Sequence, residues 1–242
     1  MELCGIKISC RTLNQLLPMP TNNNAILVTV NAEAIVRAQN DKRLKSIINS
    51  NLASIDGQIP LWLFRRQYPH TEIEKISGSD LIYSIPEYAE LNNLKVFLLG
   101  GKEDSNKDAI KNLRLKYPKL LIDGFSPKYH PYPFTVDINN QIKLELQNFK
   151  PNILFVGFGM GKQEYWEDDN KLQLSKLGIK LTIGCGGSFE FASGKIKRAP
   201  MLVQNIGLEG FWRLLNEFRW FRIKRLLISS KIFYYYVKYH II

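Results

Sequence analysis

The chain has 242 residues, 45% of them hydrophobic and 23% charged, which is enough for a full α/β core and ordinary for a globular protein. Its three cysteines, Cys4, Cys10 and Cys185, are odd in number and show no C-x-x-C spacing, and its three histidines are scattered, which argues against a disulfide framework and a His-rich metal site. The net charge of +11 is uneven, because the stretch from Lys195 to the end sets ten Lys and Arg against Glu209 and Glu217. Such a basic tail points to an anionic partner, nucleic acid or a membrane surface, with a solvated basic face as the plain alternative.

The opening residues, MELCGIKISCRTL, carry no apolar stretch of signal-peptide length. No uninterrupted apolar run reaches the roughly 18 residues of a spanning helix, so a chain that does not cross the membrane is expected. After a short opening and a loop from Pro18 to Asn24, the β-branched run Ala25 to Val30 predicts a strand. Helical spacing follows at Ala34, Ile35, Ala38, Leu44, Ile47 and Ile48, and a second strand, Leu52 to Ile55, ends at Asp56-Gly57. Strand, helix, strand over about thirty residues is a βαβ unit, whose right-handed crossover places both strand ends on one edge. Thr29, Asn31 and Asp56 are therefore expected in the crevice where open α/β sheets bind ligands, with Asp56 as a candidate general base. Asp-Gly is equally the signature of a simple turn.

Helix is predicted over Pro60 to Arg66, Ser79 to Leu91, Ser105 to Lys116, Val136 to Gln147 and Glu164 to Leu177. Strands are predicted at Leu94 to Leu99, Leu120 to Ile122, Asn152 to Val156 and Ile179 to Ile183. This alternation predicts a Rossmann-like, mostly parallel sheet with helices on both faces over residues 1–195. A basic helical appendage is expected over 196–242, where Leu214, Phe218 and Phe221 make an apolar stripe and Arg219, Arg222 and Arg225 a cationic one, a pattern that suits a bilayer interface. The competing picture is a helix packed on the core with its arginines in water.

Two glycine clusters follow strands. Gly157-x-Gly159-x-Gly161 precedes a helix, so free N–H groups and the helix dipole could hold a phosphate, although it is not the G-x-G-x-x-G fingerprint. Gly184 to Gly187 leads to the basic loop Lys195 to Arg198, which suits a diphosphate or an ordinary surface turn. Glu167-Asp168-Asp169 falls within a predicted helix and reads as solvated. A nucleotide-cofactor oxidoreductase using the first cluster and a nucleic-acid-binding module using the tail remain as alternatives.

Taken in order, Thr29-x-Asn31, Asp56-Gly57, Gly78-x-Asp80, Phe97-Leu-Leu-Gly-Gly101, Gly157-x-Gly159-x-x-Lys162-Gln163-Glu164, Gly184-x-Gly186-Gly187-x-Phe189, Lys197-Arg198-Ala199-Pro200 and Gly207-Leu208-Glu209 resemble the WecG/TagA/CpsF family of bacterial glycosyltransferases. The resemblance implies inverting transfer of an N-acetylmannosamine-type sugar from a UDP-sugar to an undecaprenyl-diphosphate-linked sugar, in surface polysaccharide or teichoic-acid-type synthesis. It implies no metal or other cofactor, no nucleic acid partner, and work at the cytoplasmic face of the membrane as a peripheral protein on an anionic surface. By the same resemblance Asp56 is the base. Thr29, Asn31, Lys75, Asp80, Gly100, Gly101, Gly157, Gly159, Lys162, Gln163, Glu164, Gly186, Gly187 and Arg198 bind substrate, and Arg213, Arg219, Arg222 and Arg225 meet the lipid diphosphate or membrane. The chain departs from the family pattern at Lys75 (usually Arg), Gly161 (usually Pro), Gly210 (usually Trp) and Glu190 (frequently Asp).

Overall fold

The computed structural model describes residues 1–17, 24–216 and 220–241. Most of the loop expected from Pro18, together with Phe218 and Arg219, lies outside the described residues, as do the side chains of Arg213 and Phe221.

The chain opens with an antiparallel pair, β1 (Glu2–Leu3) and β2 (Ile6–Lys7), and a short helix α1 (Leu13–Leu16). Then follow β3 (Ala25–Val30), α2 (Ala32–Ala38), α3 (Lys42–Ser50), β4 (Leu52–Ile55), α4 (Gln58–Gln67) and α5 (Gly78–Leu91). Next come β5 (Lys95–Gly100), α6 (Glu103–Lys116), β6 (Leu121–Phe125), α7 (Val136–Phe149), β7 (Ile153–Gly157), α8 (Lys162–Lys176) and β8 (Leu181–Gly184). Among the described residues there follow α9 (Ser188–Ala192), α10 (Met201–Asn205), α11 (Glu209–Asn216), α12 (Trp220–Ser230) and α13 (Ile232–Ile241). The six-stranded sheet has the order β4-β3-β8-β7-β5-β6, and the pairs β3–β8, β8–β7, β7–β5 and β5–β6 all run parallel. This is the α/β architecture that the alternation predicts.

The chain divides into two compact units. The first comprises 1–17, 29–77 and 198–242, so the C-terminal helices belong to it. The single helix expected between β3 and β4 is two. The apolar spacing runs on past Ala38, but Asp41 interrupts it by accepting the Leu44 N–H at 2.9 Å as the N-cap of α3. Asn31 caps α2 in the same way, taking the Ala34 N–H at 2.9 Å. Beyond β4, the backbone continues pairing: Asp56 N–H donates to Val30 O at 2.9 Å, and Ile76 N–H donates to Ile55 O at 2.8 Å.

The second unit comprises 18–28 and 78–197. Its strands β5, β7 and β8 are almost wholly buried, which explains their continuous apolar runs in place of alternation. One cluster packs Phe97, Leu99, Leu154 and Val156 of the sheet against Ile142 and Leu146 of α7 and Trp166 and Leu174 of α8. Parallel pairing in register sets Gly100 beside Gly157 and Val156 beside Gly184, so three strands end together in glycine.

Replacing Asp41 by Ala is expected to lower stability by about 1 kcal/mol, whereas Asn, an equally good cap, should leave it nearly unchanged. Urea unfolding midpoints of the two variants check this.

Candidate active site

Each unit carries a cleft. In the first unit, a cleft of about 230 Å³ is lined by Asn31, Glu33, Asp56, Lys75, Gln204, Glu209, Gly210, Arg222 and Arg225, among others. Asp56 and Asn31 occupy the ends of neighbouring elements, as the βαβ reading expects. Gly57 turns the chain at φ +104°, a conformation that side chains rarely adopt, before α4 begins. Thr29 is buried one residue before the end of β3 and does not line the cleft. Lys75 Nζ donates to Gln204 Oε1 at 3.4 Å and Arg198 Nη2 donates to the same oxygen at 3.3 Å, while Gln204 Nε2 is fixed on Ala199 O at 2.7 Å.

The far wall of this cleft is α12. Arg222 is only 8% exposed, and Arg225 Nε donates to Glu33 Oε2 at 2.6 Å. Glu33 is 3% exposed, and its other oxygen takes Arg37 Nη2 at 2.7 Å. The two described members of the cationic stripe therefore line the cleft that holds Asp56, Arg222 buried and Arg225 half-exposed. Gly210 also lines it, and a Cβ there would stand 3.1 Å from Leu226 Cδ2, so a larger side chain would press on this wall.

In the second unit, a cleft of about 700 Å³, within the usual range of small-ligand sites, is lined by Gly100, Gly101, Gly157, Gly159, Lys162, Gly186 and Gly187, together with the loop Ser126 to His130 and Phe134. Two of these glycines make room for Phe189, since a Cβ on Gly101 or Gly157 would stand 2.8 Å from its ring, and a Cβ on Gly100 would meet Phe158 at 2.7 Å. The amino end of the 14-residue helix α6, with Lys102 and Glu103, opens into the cleft, as does Lys162 at the start of the 15-residue α8. Helix amino ends attract anions. Lys162 Nζ donates to His130 O at 2.8 Å and sits 4.5 Å from the centre of the Tyr129 ring. Burial holds its pKa below the ordinary lysine value.

The glycine N–H groups differ from expectation. Gly159 and Gly186 both donate to Gln163 Oε1, at 3.2 and 3.1 Å, and Gly161 donates to Glu164 Oε2 at 2.6 Å. They are spent within the protein, so the anion-attracting groups of this cleft are its lysines and helix ends. Gln163 and Glu164 are 2% and 0% exposed, beneath the surface and not on it. Gly161 has φ +87°, which proline cannot adopt, and its N–H is in use, so glycine here makes a turn that the usual proline could not. Asp80 lies in the first turn of α5 and does not line this cleft.

Sequence reasoning missed Gln204, Glu33 and the aromatic loop at Tyr129 and Phe134. A single buried Gln in Met201–Asn205 gives no pattern, whereas Glu33 and Arg37 carried one, an i, i+4 pair of opposite charge. The acidic run 167–169 also departs from the solvated reading: Glu167 is fully buried, and neither carboxyl oxygen has a hydrogen-bond partner among the described residues. Burial first, and then the neighbouring Glu164, push its pKa well above the carboxylate range. Among the described residues no cluster of three His, Cys, Asp or Glu side chains could hold a metal ion.

An acid at a strand end among Lys75, Arg222 and Arg225, in an α/β chain with a second cleft suited to anions, has the makings of a group transferase acting on phosphorylated substrates. The chain belongs to the glycosyl transferase WecG/TagA/CpsF family, whose model matches residues 1–241, and it is a glycosyltransferase. It is 28% identical over 208 residues to the N-acetylglucosaminyldiphosphoundecaprenol N-acetyl-beta-D-mannosaminyltransferase of Bacillus subtilis (strain 168), an alignment covering 86% of this chain and 77% of that protein. The oxidoreductase and nucleic-acid readings find no support in either comparison.

A buried Glu that keeps its proton when folded, but loses it above about pH 4.3 when unfolded, makes the wild type progressively less stable as pH rises toward the folded pKa. Glu167→Gln removes that loss, so its urea midpoint should gain on the wild type between pH 4.5 and pH 8. A difference that does not change with pH would contradict the assignment.

Proposed function

We propose that this glycosyltransferase moves an N-acetylmannosamine-type sugar from a UDP-sugar to N-acetylglucosamine carried on undecaprenyl diphosphate, with inversion, in surface polysaccharide or teichoic-acid-type synthesis. The observation that carries the reading is Asp56 at the end of β4, sharing its cleft with Lys75 and Arg222. Asp56 takes the proton of the acceptor hydroxyl as that oxygen attacks the anomeric carbon, the bond from that carbon to the donor diphosphate breaks, and UDP departs. Lys75, Arg222 and Arg225 supply positive charge for diphosphate oxygens in this cleft, and the reaction proceeds on these side chains without a divalent metal. The cleft of the second unit, with Lys102, Lys162 and the amino end of α6, suits a nucleotide diphosphate.

The lipid-linked acceptor brings the protein to the cytoplasmic face of the membrane as a peripheral protein. Support comes from the C-terminal helices, which expose Leu202, Ile206, Leu215, Trp220 and Leu227 at 65–79% among nearby lysines and arginines. No helix among the described residues is long and apolar enough to cross a membrane. An anionic bilayer surface fits this mixture of exposed apolar and cationic groups.

General-base catalysis contributes about 10² to 10⁴ in rate, so Asp56→Asn should lower turnover on that scale with an unchanged melting temperature. The check is UDP release from a panel of UDP-sugars, with and without EDTA, on a polyprenyl-diphosphate N-acetylglucosamine acceptor. Near-normal turnover by the variant would remove the base assignment, and abolition by EDTA the metal-free one.

A further inference from the structure

We infer that Gln163 is a positioning residue that ties the two glycine loops of the second unit into one floor, with Glu164 fixing the direction in which its amide faces. The resemblance assigns Gln163 to substrate, but its side chain is 2% exposed and its polar atoms are engaged by the protein. Oε1 accepts two N–H groups, Gly159 from the loop after β7 and Gly186 from the loop after β8. Nε2 donates to Glu164 Oε1 at 2.9 Å, and the other oxygen of Glu164 takes Gly161 N–H.

The amide can face only one way. Reversed, its NH₂ would meet two N–H donors and its oxygen would meet a carboxylate, leaving buried groups without partners. Gly184 belongs to the same arrangement, because a Cβ there would lie 2.8 Å from Gln163 Nε2. Glycine at the end of β8 is thus the space into which Gln163 fits. The titratable groups packed around it are Glu164 and Glu167 of α8 and the Cys185 thiol, itself pushed well up by burial and by Glu167. Lys162, next in the chain, directs its ammonium to His130 O.

This surrounding predicts how one variant responds to pH. Ionised, the new side chain of Gln163→Glu can accept the glycine N–H groups but cannot donate to Glu164, and it adds a charge beside two acids. Protonated, it restores one donor and one acceptor. Low pH should therefore rescue it, whereas Gln163→Met, of similar size, has nothing to titrate.

The role in transfer rests on the function proposed above, but the tie itself can be read without activity. Amide hydrogen exchange of peptides covering 157–161 and 184–187, corrected for intrinsic rates, is compared in wild type, Gln163→Met and Gln163→Glu. Gln163→Met should speed both loops together by about tenfold, the loss of roughly one hydrogen bond's worth of protection. Gln163→Glu should be equally fast at pH 8 and slow again at pH 6, with its kcat/KM relative to wild type rising over the same interval. Exchange that changes in one loop only or in neither, or a Gln163→Glu chain with no pH rescue, would overturn the inference. Should Gln163→Met fail to fold, the pH response of Gln163→Glu decides alone. Absence of transfer from any UDP-sugar would overturn the proposed function and leave the exchange result standing.

Discussion

The Asp56 cleft depends on one buried carboxylate. Glu33 is 3% exposed, and an acid so placed must be paired, because removing its partner leaves a charge without water or counter-ion. Its partners are Arg37 on its own helix and Arg225 on α12. Through Arg225 the pair fastens a helix near the end of the sequence onto α2 near its beginning. Arg222, on the preceding turn of α12, is carried to the cleft wall with it. The cationic helix therefore does two jobs. In the proposed function Arg222 and Arg225 supply charge to the site, while the exposed apolar chains of the same C-terminal helices meet a lipid surface.

The second unit solves a different problem, which is to bring three strand ends close enough together to leave an open floor. Parallel register sets Gly100 beside Gly157 and Gly184 beside Val156, and the absence of side chains at Gly157 and Gly184 lets Phe189 and Gln163 occupy the space beneath. Gly157 and Gly184 are there less to free their N–H groups for a ligand than to admit these two side chains. Positive charge at the floor comes from Lys102, Lys162 and the helix ends, which reach an anion over longer distances than a hydrogen bond does.

Much of this was legible in the sequence, because the strands are short apolar runs closed by glycine or Asp-Gly and the helices have regular spacing. Asp56 and Asn31 were expected in a crevice for the same reason, since strand ends in a βαβ unit predict one, and both line the cleft, whereas Lys75 was named only through the family resemblance. The split between α2 and α3 was hidden because Leu44 keeps the helical spacing across a break made by one capping aspartate. Arg222 and Arg225 were visible as a stripe, but their direction was not. Which way a cationic stripe faces depends on a partner almost two hundred residues away, and Glu33 gives no local sign of being that partner. Glu167 misled for a similar reason: neighbouring acids suggest solvent, and only packing shows that one of them is enclosed.

The claim that most of the site's chemistry rests on is that Glu33 and Arg225 act as one unit in building the Asp56 cleft. A double-mutant cycle on kcat/KM, with Glu33→Gln, Arg225→Gln and the pair together, measures this directly. The account predicts strong non-additivity, the double variant losing little more than the worse single one. Losses that simply multiply would show that the two residues act independently and that α12 is held at the cleft by something else.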